Sequence, residues 1–350
     1  MAGEKNIQIL LAARPQGAPK DSDFERIETP VPEPGAGEML LRVLYLGLDP
    51  VIRLRMNAGS YWPAFELGKP LGARVVGAVV KSNLDGFQPG DLVVTAGIWA
   101  NYMLSNGKGL DGRPLPKLDP ARGPVTLPLH VLGITGLTAY CGLLEIGQPK
   151  PGETVLVSGA SGAVGSMAGQ IAKLRGCRVI GIAGGPEKCA FLEKALGFDA
   201  AVDYKRADFA EALKAALPQG VDVYFENVGG AVFDAAFPLL NRHARVTVCG
   251  TVSEYNVTER AVVPDKIPAL LLATLGKRLT IRGFVISDWF SKMPDFLRDA
   301  GQWVREGKIK YREEFVDGLD NAPAAFRAML QAEKFGKVIV NVGEESAKPR

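Results

Sequence analysis

A short apolar run that ends in a small-residue turn and opens into a helical pattern constrains this chain more than any other feature. The run is Thr154-Val155-Leu156-Val157-Ser158, and the turn is Ala160-Ser161-Gly162-Ala163-Val164-Gly165. Val164, Ala168, Ile171 and Leu174 then recur at helical spacing until Gly176 stops the helix. A buried strand that feeds a helix this way leaves free amides at the helix start, where an anion can be held. Gly162 would let the backbone approach a pyrophosphate, and Gly165 would let the helix pack on the strand. Ala160 stands where the first glycine of a G-x-G-x-x-G fingerprint would be. The string alone is a weak signal; its context gives it strength. Further strands are expected over 177–183, 200–203, 221–225, 245–249 and 279–285, with helical segments between most of them. Pro186 opens the second helix and Gly197 closes it. Such alternation predicts right-handed crossovers and a mainly parallel, doubly wound α/β sheet.

The rest of the chain has another texture. The first 125 residues are rich in Gly and Pro, with short β-like runs over 38–46 and 72–80. They predict an irregular β barrel or sandwich. After about residue 310 the β character returns, with a helix over 321–331 and the run Lys337-Val338-Ile339-Val340-Asn341-Val342. We therefore expect a discontinuous β-rich domain, 1–130 and 309–350, with the sheet domain, 131–308, inserted in it. A length of 350 residues fits two domains.

Composition excludes several classes. With 47% hydrophobic and 23% charged residues the chain is not generally disordered. A formal net charge of +3 gives no reason to expect a nucleic-acid or anionic-membrane partner. The apolar stretch 125–147 is broken by Pro128, Gly133 and Gly136, so a buried helix at a domain junction is favoured over a membrane span. The N-terminus carries no charged region followed by an apolar core, which makes a cytoplasmic location the default expectation. Four cysteines without a CxxC pair, and only His130 and His243, argue against a zinc site and a disulfide framework. Both histidines are read as structural.

The second strand ends in Ala183-Gly184-Gly185, where an NAD site would place an acid to accept from the ribose hydroxyls. Small neutral residues leave room for a 2′-phosphate, Lys188 is placed to pair with it, and Tyr204 could pack beside it or donate to it. NADP is favoured over NAD on these grounds.

Several strings occur together in order: Leu48-Asp49-Pro50, Gly133-Ile134-Thr135-Gly136-Leu137-Thr138-Ala139-Tyr140, the 158–166 turn, Phe225-Glu226-Asn227-Val228-Gly229-Gly230, and Cys249-Gly250-Thr251-Val252-Ser253-Glu254-Tyr255-Asn256. With them the chain resembles the zinc-free branch of the medium-chain dehydrogenase/reductases, and within it the prostaglandin reductase, leukotriene B4 dehydrogenase, alkenal double-bond reductase and curcumin reductase group. The resemblance runs over nearly the full length. It implies a GroES-like domain formed by both chain ends, a Rossmann domain between them, and a homodimer. It also implies that Asn227 sits by the cofactor, that Cys249 and Tyr255 border the nicotinamide, and that Phe284, Val285 and Ile286 line its carboxamide side. Asn227 and Cys249 have independent support, because they end strands four and five, where ligands bind in an open α/β sheet. There are departures. Val51-Ile52 replaces a Tyr-Met pair common in relatives, and Lys334 precedes Phe335-Gly336-Lys337 where relatives often carry Asn.

Without a metal Lewis acid, the electrophile expected is a conjugated enal or enone, reduced by hydride transfer to its β-carbon. Tyr255 is the first candidate to donate to the resulting enolate oxygen, since a phenol with a reference pKa of about 10 donates while neutral. Packing on the nicotinamide is the plainer role for the same residue. Tyr61, Met56 and Trp62 are candidate walls of an apolar substrate cleft, and equally candidates for ordinary packing. The alternatives are an NADPH-dependent quinone oxidoreductase of the same superfamily and a cofactor-binding protein without enzymatic activity. The 279–284 segment could pair across a dimer, by analogy alone.

Overall fold

The computed structural model describes residues 4–58, 61–109, 112–258 and 265–343. The chain divides into two compact units, Met1–His130 with Glu313–Arg350, and Val131–Arg312. In the first unit β1 (Lys5–Leu11) pairs antiparallel with β2 (Phe24–Pro30). Then come β3 (Met39–Gly47), α1 (Val51–Met56), β4 (Gly72–Ser82), β5 (Leu92–Ile98), β6 (Tyr102–Ser105) and β7 (Lys117–Leu118). The apolar run of β3 is almost entirely buried, as a central strand requires.

The second unit opens with α2 (Ile134–Cys141), which passes into a π-helical turn over Gly142–Gly147 and ends where Gln148 takes φ 45°. This is the apolar stretch 125–147. Gly133 caps its helix and a 3-10 turn, Leu127–Leu129, precedes it, so the run is divided into short pieces. Among the described residues no helix is long and apolar enough to cross a membrane.

The second unit continues with β8 (Thr154–Val157), α3 (Ala163–Leu174), β9 (Arg178–Ala183), α4 (Pro186–Lys194), β10 (Ala200–Asp203), α5 (Phe209–Ala216) and β11 (Val221–Glu226). It closes with α6 (Gly230–Ala236), β12 (Leu240–Val248), α7 (Ile267–Lys277), β13 (Thr280–Gly283) and α8 (Met293–Arg305). Its six strands are all parallel, in the order β10-β9-β8-β11-β12-β13. That is the order 3-2-1-4-5-6 of a doubly wound dinucleotide fold, which reverses at β8 and β11. Val155, Leu156 and Val157 of β8 are completely buried. Each such side chain contributes roughly 1.5–3 kcal/mol. Leu213 of α5 and Val232 and Ala236 of α6 share a core with Leu156, Ile180, Tyr224 and Val246. β13 forms an open edge with all four residues exposed, and Leu271, Leu272 and Leu275 of α7 are exposed as well.

Two strands differ from the sequence expectation. β12 begins at Leu240 rather than 245, because its first turn of chain pairs irregularly: the ladder to β11 shifts between Val221 and Val223, and His243 sits at φ 65°. A polar stretch with a kink carries no period-two signal. β13 is shorter than 279–285, so Phe284 and Val285 leave the ladder.

The chain then returns to the first unit with β14 (Glu313–Asp317), α9 (Ala322–Leu330) and β15 (Lys337–Asn341). The sheet order there is β14-β15-β3-β4-β5-β7, with β6 also on β3. Only β14 and β15 run parallel in it. Phe326 of α9 meets Trp99 edge-on at 5.9 Å, and Phe24 stacks on the same indole at 6.1 Å. Such pairs contribute about 0.5–1.5 kcal/mol beyond their burial. β15 opens on a lysine. Lys337 is 2% exposed, and its Nζ donates to Asp49 Oδ1 at 2.5 Å and to Leu48 O at 3.1 Å. The strings Leu48-Asp49-Pro50 and Phe335-Gly336-Lys337 thus meet in one ion pair, its ammonium buried and its carboxylate half-buried. His130 is buried in the same unit, and burial together with the Lys337 charge brings its imidazole down to about 3, so it is neutral.

Candidate cofactor-binding site

The turn after β8 is built for close approach. Ser158 N–H donates to Phe225 O at 3.1 Å, Ala160 N–H to Ile182 O at 2.9 Å, and Gly162 N–H to Gly159 O at 3.0 Å. These three bonds hold the turn across the ends of β8, β9 and β11. A Cβ on Gly165 would lie 2.4 Å from Gly159 O and 2.8 Å from Ala160 Cα, so only glycine lets α3 rest on the turn. Gly162 is the N-cap and has no side chain to cap the helix. The first amide of α3 to bond back is that of Ser166, to Gly162 O at 2.9 Å. The amides of Ala163, Val164 and Gly165 ahead of it are the orphan donors of a twelve-residue helix. Donors of that kind, with Ala163 and Val164 half-buried, fit a pyrophosphate.

At one end of this edge lie the tips of β9 and β10. Asp203 Oδ1 accepts from Gly185 N–H at 2.8 Å and Lys205 N–H at 3.0 Å, which folds the two tips together. A Cβ on Gly184 would meet Tyr204 Cε1 at 2.8 Å and Lys205 Cε at 3.1 Å. Tyr204 and Lys205 therefore lean over Gly184, and an acid there would collide with the phenol ring. Lys188 stands in the first turn of α4, half-buried. Sequence reasoning named Lys188 and Tyr204 but missed Lys205. The signal for it was the basic pair Lys205-Arg206 directly after the third strand. Arg206 is already taken by Asp208, at 2.8 and 2.6 Å.

The ends of β11 and β12 supply the other side. Asn227 N–H donates to Ser158 Oγ at 2.8 Å and Asn227 Nδ2 to Ser158 O at 2.7 Å, which fixes Asn227 beside the turn. Cys249 N–H donates to Glu226 O at 2.8 Å, and burial with the nearby Glu226 pushes its thiol up to about 12. It is a protonated thiol and not a nucleophile at neutral pH. A Cβ on Gly250 would lie 3.3 Å from both Tyr255 Oη and Asn227 O, so the phenol end sits at the junction of these two loops. Phe284 follows β13, and a Cβ on Gly142 would meet its Cζ at 2.8 Å. Val285 is extended, and Ile286 starts the 3-10 turn Ile286–Lys292. The edge thus gathers Ala160, Gly162, Ala163, Val164, Gly165, Asn227, Cys249 and Tyr255, with Lys188 and Tyr204 at one end and Phe284, Val285 and Ile286 at the other.

Three further candidates lie in the first unit. Tyr61 is 61% exposed and Trp62 is half-buried. Met56 is completely buried in the core with Leu48, Ile52 and Trp99, which makes it a packing residue and not a cleft wall. Lys334 pairs with Glu314 at 2.8 Å, while Glu314 also accepts from Phe335 N–H at 2.8 Å, so the lysine anchors the approach to β15. Among the described residues no group of three or more His, Cys, Asp or Glu side chains could hold a metal ion.

Comparison with known proteins shows the family. Residues 7–112 match a family described as the N-terminal domain of oxidoreductase, and residues 163–301 one described as zinc-binding dehydrogenase. The chain is 47% identical over 341 residues to an NADPH-dependent curcumin reductase of Escherichia coli (strain K12), covering 97% of each. It is 37% identical over 347 residues to a 2-alkenal reductase (NADP(+)-dependent) of Nicotiana tabacum, covering 97% of this chain and 98% of the other. The solved structure of CurA in complex with NADPH from Vibrio vulnificus superposes with a TM-score of 0.92 at 46% identity, over 97% of this chain and 99% of that one. With the parallel sheet, its glycine turn and both ends of the chain in a second sheet, the chain belongs to the zinc-independent reductases of the medium-chain dehydrogenase/reductase family.

Proposed function

We propose that this protein reduces the carbon–carbon double bond of α,β-unsaturated aldehydes and ketones with NADPH. It is an NADP-dependent oxidoreductase that acts on a small molecule; the curcumin and alkenal specificities of its relatives support the conjugated carbonyl as the substrate class. The observation that carries the reading is the meeting of the orphan α3 amides, Asn227 and the Tyr255 phenol along one sheet edge.

The 160–165 turn would hold the pyrophosphate, with Lys188 and Tyr204 at the 2′-phosphate and Phe284, Val285 and Ile286 along the carboxamide. When bound, NADPH supplies the hydride that reaches the β-carbon. Addition of hydride at the β-carbon moves the π electrons onto the carbonyl oxygen as an enolate, which a proton delivered to the α-carbon from solvent converts to the saturated carbonyl; a donor aimed at that oxygen lowers the barrier. Tyr255 Oη is that donor. Asn227, held by two bonds to Ser158, keeps the loop beside the phenol from moving. The supply of two histidines, one of them buried and neutral, fits a site that works without a metal.

The decisive experiment follows NADPH oxidation over a panel of enals, enones and quinones, with product analysis to show which bond was reduced. Saturated carbonyl products support the proposal. Preferred turnover of benzoquinones would replace it with a quinone oxidoreductase. Tyr255→Phe is expected to lower kcat on an enone about a hundredfold. An unchanged kcat would leave the phenol a packing role alone. Lys188→Ala is expected to raise KM for NADPH about tenfold and to leave NADH as it was; equal effects on both coenzymes would remove Lys188 from the 2′-phosphate.

A further inference from the structure

Glu226, the last residue of β11, is 1% exposed. Its Oε1 accepts from Ser158 Oγ at 3.0 Å, from Gly229 N–H at 2.7 Å and from Val228 N–H. Two successive amides converge on one oxygen, and the chain then turns at Gly229, which takes φ 80°. The main-chain oxygen of Glu226 accepts from Cys249 N–H at 2.8 Å and Gly250 N–H at 3.1 Å. Beyond it the bonds run on: Val252 N–H reaches Asn227 O at 3.1 Å, while Ser253 N–H and Oγ reach Val228 O at 2.9 and 2.6 Å. Glu226 therefore joins the turn after β8, the 227–230 loop and Cys249-Gly250, and through Asn227 and Val228 the bonds continue to the 251–255 turn that carries Tyr255. Burial pushes its carboxyl up against the pull of these donors, and Oε2 is buried with no hydrogen-bond partner. A side chain that was only filling space would not bear that cost. Ordinary packing of the same volume is available to leucine or methionine.

We propose that Glu226 is a positioning residue: its buried carboxyl sets the 227–230 loop and the Tyr255 turn against Ser158, and so shapes the half of the site that takes the nicotinamide. The inference rests on the NADPH reading above. It separates the two halves of the coenzyme. The adenosine end, around Gly184, Lys188 and Tyr204, shares none of these bonds.

The test compares two ligands on the full chain by titration: NADPH, and 2′-phospho-ADP-ribose, which lacks the nicotinamide. Glu226→Ala is expected to weaken NADPH about tenfold or more and 2′-phospho-ADP-ribose by less than about twofold. The fluorescence enhancement of bound NADPH, which reports the surroundings of the nicotinamide, should fall with it. Glu226→Gln keeps an acceptor at Oε1 and should restore both readings to within about threefold. Equal weakening of the two ligands, or unaltered binding of both, overturns the inference. Should Glu226→Ala fail to fold, Ser253→Ala cuts the exposed far end of the same network and carries the test. A split of about threefold then supports the inference and no split overturns it. A wild-type chain that binds neither ligand would overturn the functional reading first, and this inference with it.

Discussion

Replacing Gly165 by alanine is expected to weaken NADPH binding by about two orders of magnitude and to destabilise the sheet unit by about 1–3 kcal/mol. The added methyl would stand 2.4 Å from Gly159 O and 2.8 Å from Ala160 Cα. Both are backbone atoms, so no side chain can swing aside. Either α3 slides outward along its length or the turn lifts off the strand ends. The first exposes the face of α3 that carries Met167, Ala168 and Ile171, all completely buried. The second breaks Ala160 N–H to Ile182 O and changes where the orphan amides point. In both cases the loss falls on the anion site before it falls on the fold. Gly162→Ala is the milder change for the fold alone, because its Cβ would lie 3.3 Å from Gly159 O, while the methyl would still stand where the pyrophosphate approaches the backbone. NADPH titration and urea unfolding measure the two effects separately. Wild-type affinity in a folded Gly165→Ala protein would mean that the pyrophosphate does not bind at this turn.

The second large effect lies in the other unit. Lys337→Ala is expected to destabilise it by about 1.5–3 kcal/mol, the cost of losing a charge-assisted bond to a half-buried carboxylate. Asp49 would lose a partner at 2.5 Å and Leu48 O a donor at 3.1 Å. Arg74, buried beside the same carboxylate, softens the loss because its charge still faces Asp49. Lys337→Met tests whether volume or charge matters, since it keeps most of the side-chain length. If charge decides, Lys337→Met alone unfolds early in urea, and adding Asp49→Asn recovers much of the difference. A loss below about 1 kcal/mol would place the pair with weak surface bridges.

What the sequence disclosed follows the range of its signals. The turn after β8, the alternation of strand and helix and the β character of both ends are local patterns, readable in windows of about 10–20 residues. They led to the parallel sheet and to Ala160, Gly162 and Gly165. The Lys337–Asp49 pair spans 288 positions, and no spacing within either string points to the other. Lys337 reads as an ordinary strand-edge lysine until the fold buries it. Met56 stayed open between cleft wall and core for the same reason, since helical position alone does not tell one from the other. Glu226 was hidden differently. An acid that ends an apolar strand looks like a solvated boundary, and only the convergence of Ser158, Val228 and Gly229 on its carboxyl shows otherwise. The early start of β12 was lost to a kink at His243, which breaks the alternation that marks a strand.

The position of β15 between β14 and β3 bears on how the protein is made. On the ribosome, the residues of β3 emerge long before their neighbour Lys337–Asn341, with the whole of Val131–Arg312 synthesised in between. Until then the nascent chain holds Tyr45, Leu46 and Gly47 without their strand partners, Trp99 without Phe326, and Asp49 without its ammonium. The interposed unit draws every strand of its sheet from its own residues and can close first. The half-built β unit, with an apolar strand edge open, is then the species most exposed to aggregation during translation, and chaperone demand should concentrate there.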